Sequence, residues 1–394
     1  MNKIIEQAKM LENEMVSYRR ELHSNPEVGA ILPKTKAFVM DKLREFGYDP
    51  KEICESGIVA TIEGSEPGKT FLLRADMDAL PVKEEAECDF KSTNGSMHAC
   101  GHDMHTAMLL GAAKLLKQNQ DQIKGTVKLV FQPDEEGFTG AKKMLKAGVL
   151  KNPDVDAAMA MHVHSGTPSN LVLCGLGTNI AGCTCFRIVV KGTGCHGAMP
   201  ELGVDPINIA AHIYTSLQEI ITREISATKP AVVTIGKFVG GEAPNIIPEE
   251  VIMEGTIRSL DKETGAFIFN RINDIAVATA KAFRGEAELI EISSAPPLIN
   301  NVDLAKEIAS NLKGLLGERS VVVFESSGMG SEDFSSYSYE IPSVYLMLGA
   351  GTKQENPLYG ESMHNPKVVF NENILVTGAA VHAYSAITWL KNNQ

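Results

Sequence analysis

Short apolar runs at residues 58–62, 70–75, 126–131 and 155–163 alternate with helical periodicity at 103–117 and from about residue 140. Runs this short, bounded by turn residues, read as buried strands, and strand–helix alternation argues an α/β domain on a mostly parallel sheet. The opening stretch, residues 1–20, spaces Ile4, Ile5, Ala8, Leu11 and Met15 as a helix does. It mixes Lys and Glu among these positions, so it lacks the unbroken apolar core of a signal peptide.

The pattern changes near Ala181. Strands are expected at 183–190, 231–239, 251–259 and 286–292, with helices at 205–223 and 262–283. The order β-α-β-β-α-β is the split βαβ, ferredoxin-like arrangement, an α+β unit in its own right. Beyond Ala295-Pro-Pro297 the first pattern resumes, with a helix at 302–316, strands at 321–324 and 344–348, and a last helix from about Asn371.

Composition narrows the function classes more than it selects one. The 394 residues carry a net charge of −12, which argues against a nucleic-acid partner needing a basic face. No window approaches the roughly 20 apolar residues of a membrane span. Seven cysteines without a secretion signal point to free thiols in a reducing compartment, hence the cytoplasm.

Five segments concentrate metal-ligand and acid chemistry: Arg74-Ala-Asp-Met-Asp78, Cys100-Gly-His-Asp103, Asp134-Glu-Glu136, Met161-His-Val-His164 and Met363-His-Asn-Pro366. Three follow apolar strands directly, and open α/β sheets bind ligands at the carboxyl ends of their strands. Cys100 and His102 can meet one metal from a loop that Gly101 makes tight; on a helix that spacing would face them apart. Of Glu135 and Glu136, one can bind metal while the other handles protons. His162 and His164 share a face of their strand, so either can be the ligand; His162 lies closer to the buried run. Asp76 and Asp78 can cap a turn or orient ligands from behind. Together with His364 these groups suffice for two divalent ions about 3.5–4 Å apart. Zinc suits the donors, and manganese, nickel and cobalt fit them too. If His364 joins this centre, residues 1–181 and 296–394 form one domain and 182–295 an insertion.

Taken in order, Arg19-Arg-Glu-Leu-His23 with Pro26-Glu27, then 74–81, 98–105, 131–137, 196–200 and 363–366, resemble the bimetallic aminoacylase/carboxypeptidase family. The nearest branch holds hippurate hydrolases, N-acyl-amino-acid deacetylases and auxin-conjugate hydrolases. The resemblance implies Cys100, His102, Glu136, His162 and His364 as metal ligands and Glu135 as general base. Asp76 would support the centre from behind, and Asp103 would fix His102. In the inserted domain, which serves relatives as lid and dimerisation unit, His196 would stabilise the oxyanion, and Asn245 and Arg258 would contact substrate. Cys195 and Glu201 depart from the residues many relatives carry beside the lid histidine. The spacing of Cys174, Cys183, Cys185 and Cys195 lacks zinc-knuckle form.

The activity so implied is metal-dependent hydrolysis of the amide bond of a small N-acyl-L-amino acid by a homodimer or higher oligomer. A metallo-carboxypeptidase or dipeptidase is the alternative. A non-catalytic binding module on the same fold is the remaining one, and it would be expected to lack a ligand or the base.

Overall fold

The computed structural model describes residues 3–394, which separate into two compact units. The first runs through residue 179 and resumes at Ile299–Ser326 and Asp333–Gln394; the second comprises Ile180–Leu298 and Ser327–Glu332. The helical reading of residues 1–20 includes Met1 and Asn2, which lie outside the described residues; from Lys3 onward it resolves into Lys3–Met10 and Glu12–Ser24.

The first unit is built on an eight-stranded sheet. Its centre is parallel: Glu66–Asp76 lies between Lys124–Gln132 and Ala157–His164, which in turn pairs with Ser343–Gly349. These strands read as continuous apolar runs because helices cover both faces of a parallel sheet. Phe71, Leu72 and Leu73 are all fully buried, each worth roughly 1.5–3 kcal/mol of transfer free energy. Antiparallel pairing enters at the flank, where Gly57–Glu63 joins Lys124–Gln132 and extends to Lys51–Cys54. It also enters between Ser343–Gly349 and Val172–Gly175. Lys51–Cys54 and Val172–Gly175 are too short and too polar or isolated to stand out as periodic runs.

Helix His102–Gln118 is buried nearly all round, packed against Glu12–Ser24, the sheet and the final helix Ile374–Asn392. A Cβ at Gly378 would fall on the Met108 sulfur, so glycine permits the close crossing of helices His102–Gln118 and Ile374–Asn392.

The second unit carries a four-stranded antiparallel sheet in the spatial order Ala231–Gly240, Glu250–Ser259, Gly182–Lys191, Glu286–Ala295. With helices Pro206–Glu219 and Lys262–Ala282 this is the ferredoxin-like order. Phe186, Ile188 and Val190 alternate onto one face and pack with Ile209, Ile213, Ile268 and Ile272. Asp205 caps the first helix through Ile207 and Asn208 N–H, and Asp261 caps the second through Thr264 N–H.

Candidate metal centre

Three adjacent strands of the first unit deliver the chemistry at their carboxyl ends. Asp76 ends one and is in register with Gln132, the end of the next; His162 and His164 end the third. Between the first two strands the chain crosses over through Cys100 and helix His102–Gln118. The sequence reading starts that helix after the Cys–His pair, whereas His102 is its first residue. Gly101 is the N-cap at φ 84°, and a Cβ there would collide with Val163 Cγ2. The left-handed turn lets Cys100 and His102 face one point although they stand two apart.

His102 is fully buried, and its Nδ1–H donates to the Asp78 carbonyl at 2.8 Å. That hydrogen bond commits Nδ1 and leaves Nε2 as the nitrogen a metal would take; Nε2 is buried without any hydrogen-bond partner. His162 repeats the device: Nδ1–H donates to the Val163 carbonyl at 2.5 Å, and Nε2 lies 3.4 Å from Cys100 Sγ. His364 Nε2 is 3.2 Å from Cys100 Sγ and 3.2 Å from Glu136 Oε1. His364 holds φ 67°, an unusual conformation for a residue with a side chain, and its N–H donates to the Ala99 carbonyl at 3.0 Å. His164 points elsewhere: it is exposed and bonds to Thr167 Oγ1 at 2.8 Å.

The ligand atoms of Cys100, His102 and His162 lie within 4.8 Å of one another, as do those of Cys100, Glu136 and His364. Cys100 belongs to both groups, and a thiolate can bridge two ions. The electrostatics call for cations. Burial opposes protonation of His102, yet Asp76, Asp78 and Glu136 outweigh it and raise its pKa to about 10. Burial, then Glu136 and Glu135, push the Cys100 thiol up, a balance that a bound divalent ion inverts. A soft thiolate, three imidazoles and a carboxylate, with one imidazole nitrogen buried and unpaired, fit two divalent metals of the zinc class.

Asp78 organises the centre more than the sequence reading allows. Its carboxylate accepts Glu135 N–H at 2.9 Å and Glu136 N–H at 3.1 Å, while its carbonyl holds His102. Glu135 is buried; Oε1 accepts the Asp333 N–H at 3.3 Å and Oε2 stands 3.9 Å from His102 Nε2. Asp333 is itself locked by Arg74 at 2.8 Å and by Gln132 at 2.7 and 2.9 Å.

Asp76 lies one layer back. It accepts from Arg74 Nη1 at 2.6 Å and from His105 Nδ1–H at 2.5 Å, and His105 Nε2 in turn accepts the Val163 N–H at 2.9 Å. Asp76 is therefore linked through His105 to the end of the strand that carries His162. The expectation for Asp103 is corrected: it does not hold His102. Its carboxylate accepts Arg19 Nε at 2.7 Å and His23 Nδ1–H at 2.8 Å, on a different face of the helix, because residues adjacent on a helix point about 100° apart. Gln132, His105 and Asp333 escaped the sequence reading. The i, i+3 spacing of His105 from His102 on one helix was the one available signal.

The remaining candidates belong to the second unit. His196 pairs with Ile246, one residue past Asn245, across a short antiparallel ladder, and the Asn245 carbonyl accepts Gly197 N–H at 2.8 Å. His196 is exposed; its Nδ1 accepts Ala198 N–H at 3.0 Å, which assigns the proton to Nε2. Arg258 donates from Nη1 to the Met329 carbonyl at 2.8 Å and to Ser331 Oγ at 3.0 Å, anchoring segment Ser327–Glu332.

Fold and centre together define a metal-dependent hydrolase. The chain belongs to peptidase family M20/M25/M40, whose model matches residues 72–388. It is 38% identical to the IAA-amino acid hydrolase ILR1-like 2 of Arabidopsis thaliana, over 99% of this chain and 88% of that one. It is 36% identical to thermostable carboxypeptidase 2 of Saccharolobus solfataricus, over 98% of each. It is 33% identical to an N-acetylcysteine deacetylase of Bacillus subtilis, over 97% of this chain and 98% of that one. Among solved structures, a putative aminohydrolase of methicillin-resistant Staphylococcus aureus superposes with a TM-score of 0.88 at 32% identity, covering 100% of both chains. A dinuclear metal binding M20 peptidase of Bacillus subtilis superposes with a TM-score of 0.80 at 31% identity, covering 97% of this chain and 99% of that one. No helix among the described residues is long and apolar enough to cross a membrane.

Proposed function

We propose that this enzyme cleaves the amide bond of N-acyl-L-amino acids, with Glu135 as general base and Cys100, His102, Glu136, His162 and His364 as the metal ligands. The observation that carries this reading is the suspension of Glu135 beside the unpaired His102 Nε2, its backbone held by Asp78 and its carboxylate by Asp333. Two divalent ions, when bound, polarise the scissile carbonyl and lower the pKa of a bound water towards 7. Glu135 takes the proton from the attacking water and delivers it to the leaving nitrogen, so no free acid is needed.

His196, with its proton on Nε2, is suited to donate a hydrogen bond to the tetrahedral oxyanion, and Asn245 and Arg258 are assigned to substrate contact. Arg258 would hold a carboxylate through whatever donors its bonds to Met329 and Ser331 leave. Zinc, manganese, nickel and cobalt are the candidate ions. A homodimer through the second unit is supported by Val232, Phe238, Val239, Ile290 and Ile292, exposed apolar side chains on the two edge strands of its sheet.

The carboxypeptidase among the relatives supports a second reading, cleavage of peptides at a free carboxyl end. Amino-acid release from a panel of N-acyl amino acids and unblocked dipeptides decides between them, using metal-stripped protein with each candidate ion restored. Metal-dependent cleavage of blocked substrates is the expected outcome. Cleavage of dipeptides alone would transfer the enzyme to the peptidases.

A further inference from the structure

Against Asp103, the second residue of helix His102–Gln118, lies a second cluster of metal-ligand side chains. His23 is buried on helix Glu12–Ser24, and Glu84 is buried in the segment that precedes Cys100. His23 Nε2 lies 3.0 Å from Glu84 Oε1, and Cys88 Sγ lies 3.7 Å from that same oxygen. The three ligand atoms fall within 4.8 Å of one another. We propose that His23, Glu84 and Cys88 form a further divalent-cation site of the zinc class, distinct from the two-ion centre and structural in role.

Ligand spacing supports it. Metal bonds of about 2.0–2.3 Å at tetrahedral angles set imidazole, carboxylate and thiolate atoms about 3.3–3.7 Å apart, close to the spans seen here. The layer behind the ligands is also in place. His23 Nδ1–H donates to Asp103 Oδ2 at 2.8 Å, the carboxylate–histidine arrangement that aims Nε2 at a metal, and Arg19 Nε holds Asp103 at 2.7 Å. Glu84 Oε2 is fixed by the Ser92 N–H at 2.7 Å. Cys88 is half-buried, which leaves an ion a route in.

A metal-free arrangement competes, an imidazolium at His23 bridging Asp103 and Glu84. It accounts for His23 but not for His98. The His98 ring is buried with its centroid 6.3 Å from that of His23, and neither of its nitrogens makes a hydrogen bond. An ion held at the cluster would have His98 as a neighbouring imidazole able to turn toward it as a fourth ligand. The ion would tie helix Glu12–Ser24 to the segment leading into Cys100.

The test strips full-length protein of metal, reloads it with Zn2+ or Co2+, desalts it and counts metal per chain in wild type, Cys88→Ser and Cys88→Ala. Both variants are expected to lose one equivalent per chain while keeping amide cleavage and circular dichroism. Co2+-loaded Cys100→Ser protein should retain a thiolate-to-cobalt absorption band that the Cys100→Ser/Cys88→Ser protein lacks. Equal metal counts in all three proteins, with no residual band, would overturn the site. Wild type that shows a Cys88-dependent equivalent but cleaves no amide would sink the proposed activity and leave this site standing.

Discussion

The carboxylate of Asp78 accepts the backbone N–H of Glu135 at 2.9 Å, so the loop carrying the proposed base hangs from the end of the neighbouring strand. The same carboxylate takes the Glu136 N–H, and the Asp78 carbonyl orients His102. One residue thus sets the relative positions of the proposed base and two proposed ligands. In Asp78→Ala two N–H donors lose their acceptor, at about 1–3 kcal/mol for each that stays buried. Metal affinity should drop by about 10–100-fold, with turnover falling beyond what metal loss explains. Asp78→Asn retains one acceptor oxygen and should fall between. Titration calorimetry and saturating-metal kinetics check this, and equal behaviour of Asp78→Ala and wild type would remove Asp78 from the centre.

Glu135→Gln keeps the size of the side chain and removes its basicity. Turnover should drop by about 10²–10⁴-fold while the metal content stays that of wild type. The two readouts must separate: loss of metal together with activity would mark Glu135 as a ligand instead.

Gly101→Ala should damage fold and centre together. The position has φ 84° and its Cβ would meet Val163. The left-handed backbone alone costs about 1–2 kcal/mol, before any displacement of the strand bearing His162. Urea unfolding of the metal-free protein should report that loss, and metal titration a weaker site. A stability equal to wild type would show that the turn relaxes.

Lys128 offers a control remote from the chemistry. Its buried ammonium donates to the carbonyls of Val149, Lys151 and Pro153 at 3.0, 2.8 and 2.9 Å. Lys128→Met leaves those oxygens without this donor and should cost at least about 2 kcal/mol in urea unfolding. Activity per folded molecule should be unchanged. A matching loss of specific activity would tie this turn to the site.

Much of this architecture is legible in the chain because period and composition are local. The buried strands, the βαββαβ order of the middle section and the last helix follow from apolar spacing, and Asp205 and Asp261 announce their helices as capping residues. The short strands Lys51–Cys54 and Val172–Gly175 lack the unbroken apolar run that marks the equally short Val321–Phe324. The assignment of Ser327–Glu332 to the second unit has no local signal either, since Arg258, which holds it, is about seventy residues away in sequence.

For the centre, the sequence by itself determined which donor types are available and that several of them end strands of one sheet. Tertiary structure decided how each is used. It brought His364 to Cys100 across 264 residues through the Ala99 hydrogen bond, and it turned His162 inward and His164 out to solvent. It also sent Asp103 away from His102 to Arg19 and His23, and it made Asp78 the common support of His102 and the glutamate pair. The physical reason is one of range. Periodicity fixes which way a side chain leaves its own backbone, whereas a hydrogen-bond partner is chosen by whatever another part of the chain places within about 3 Å.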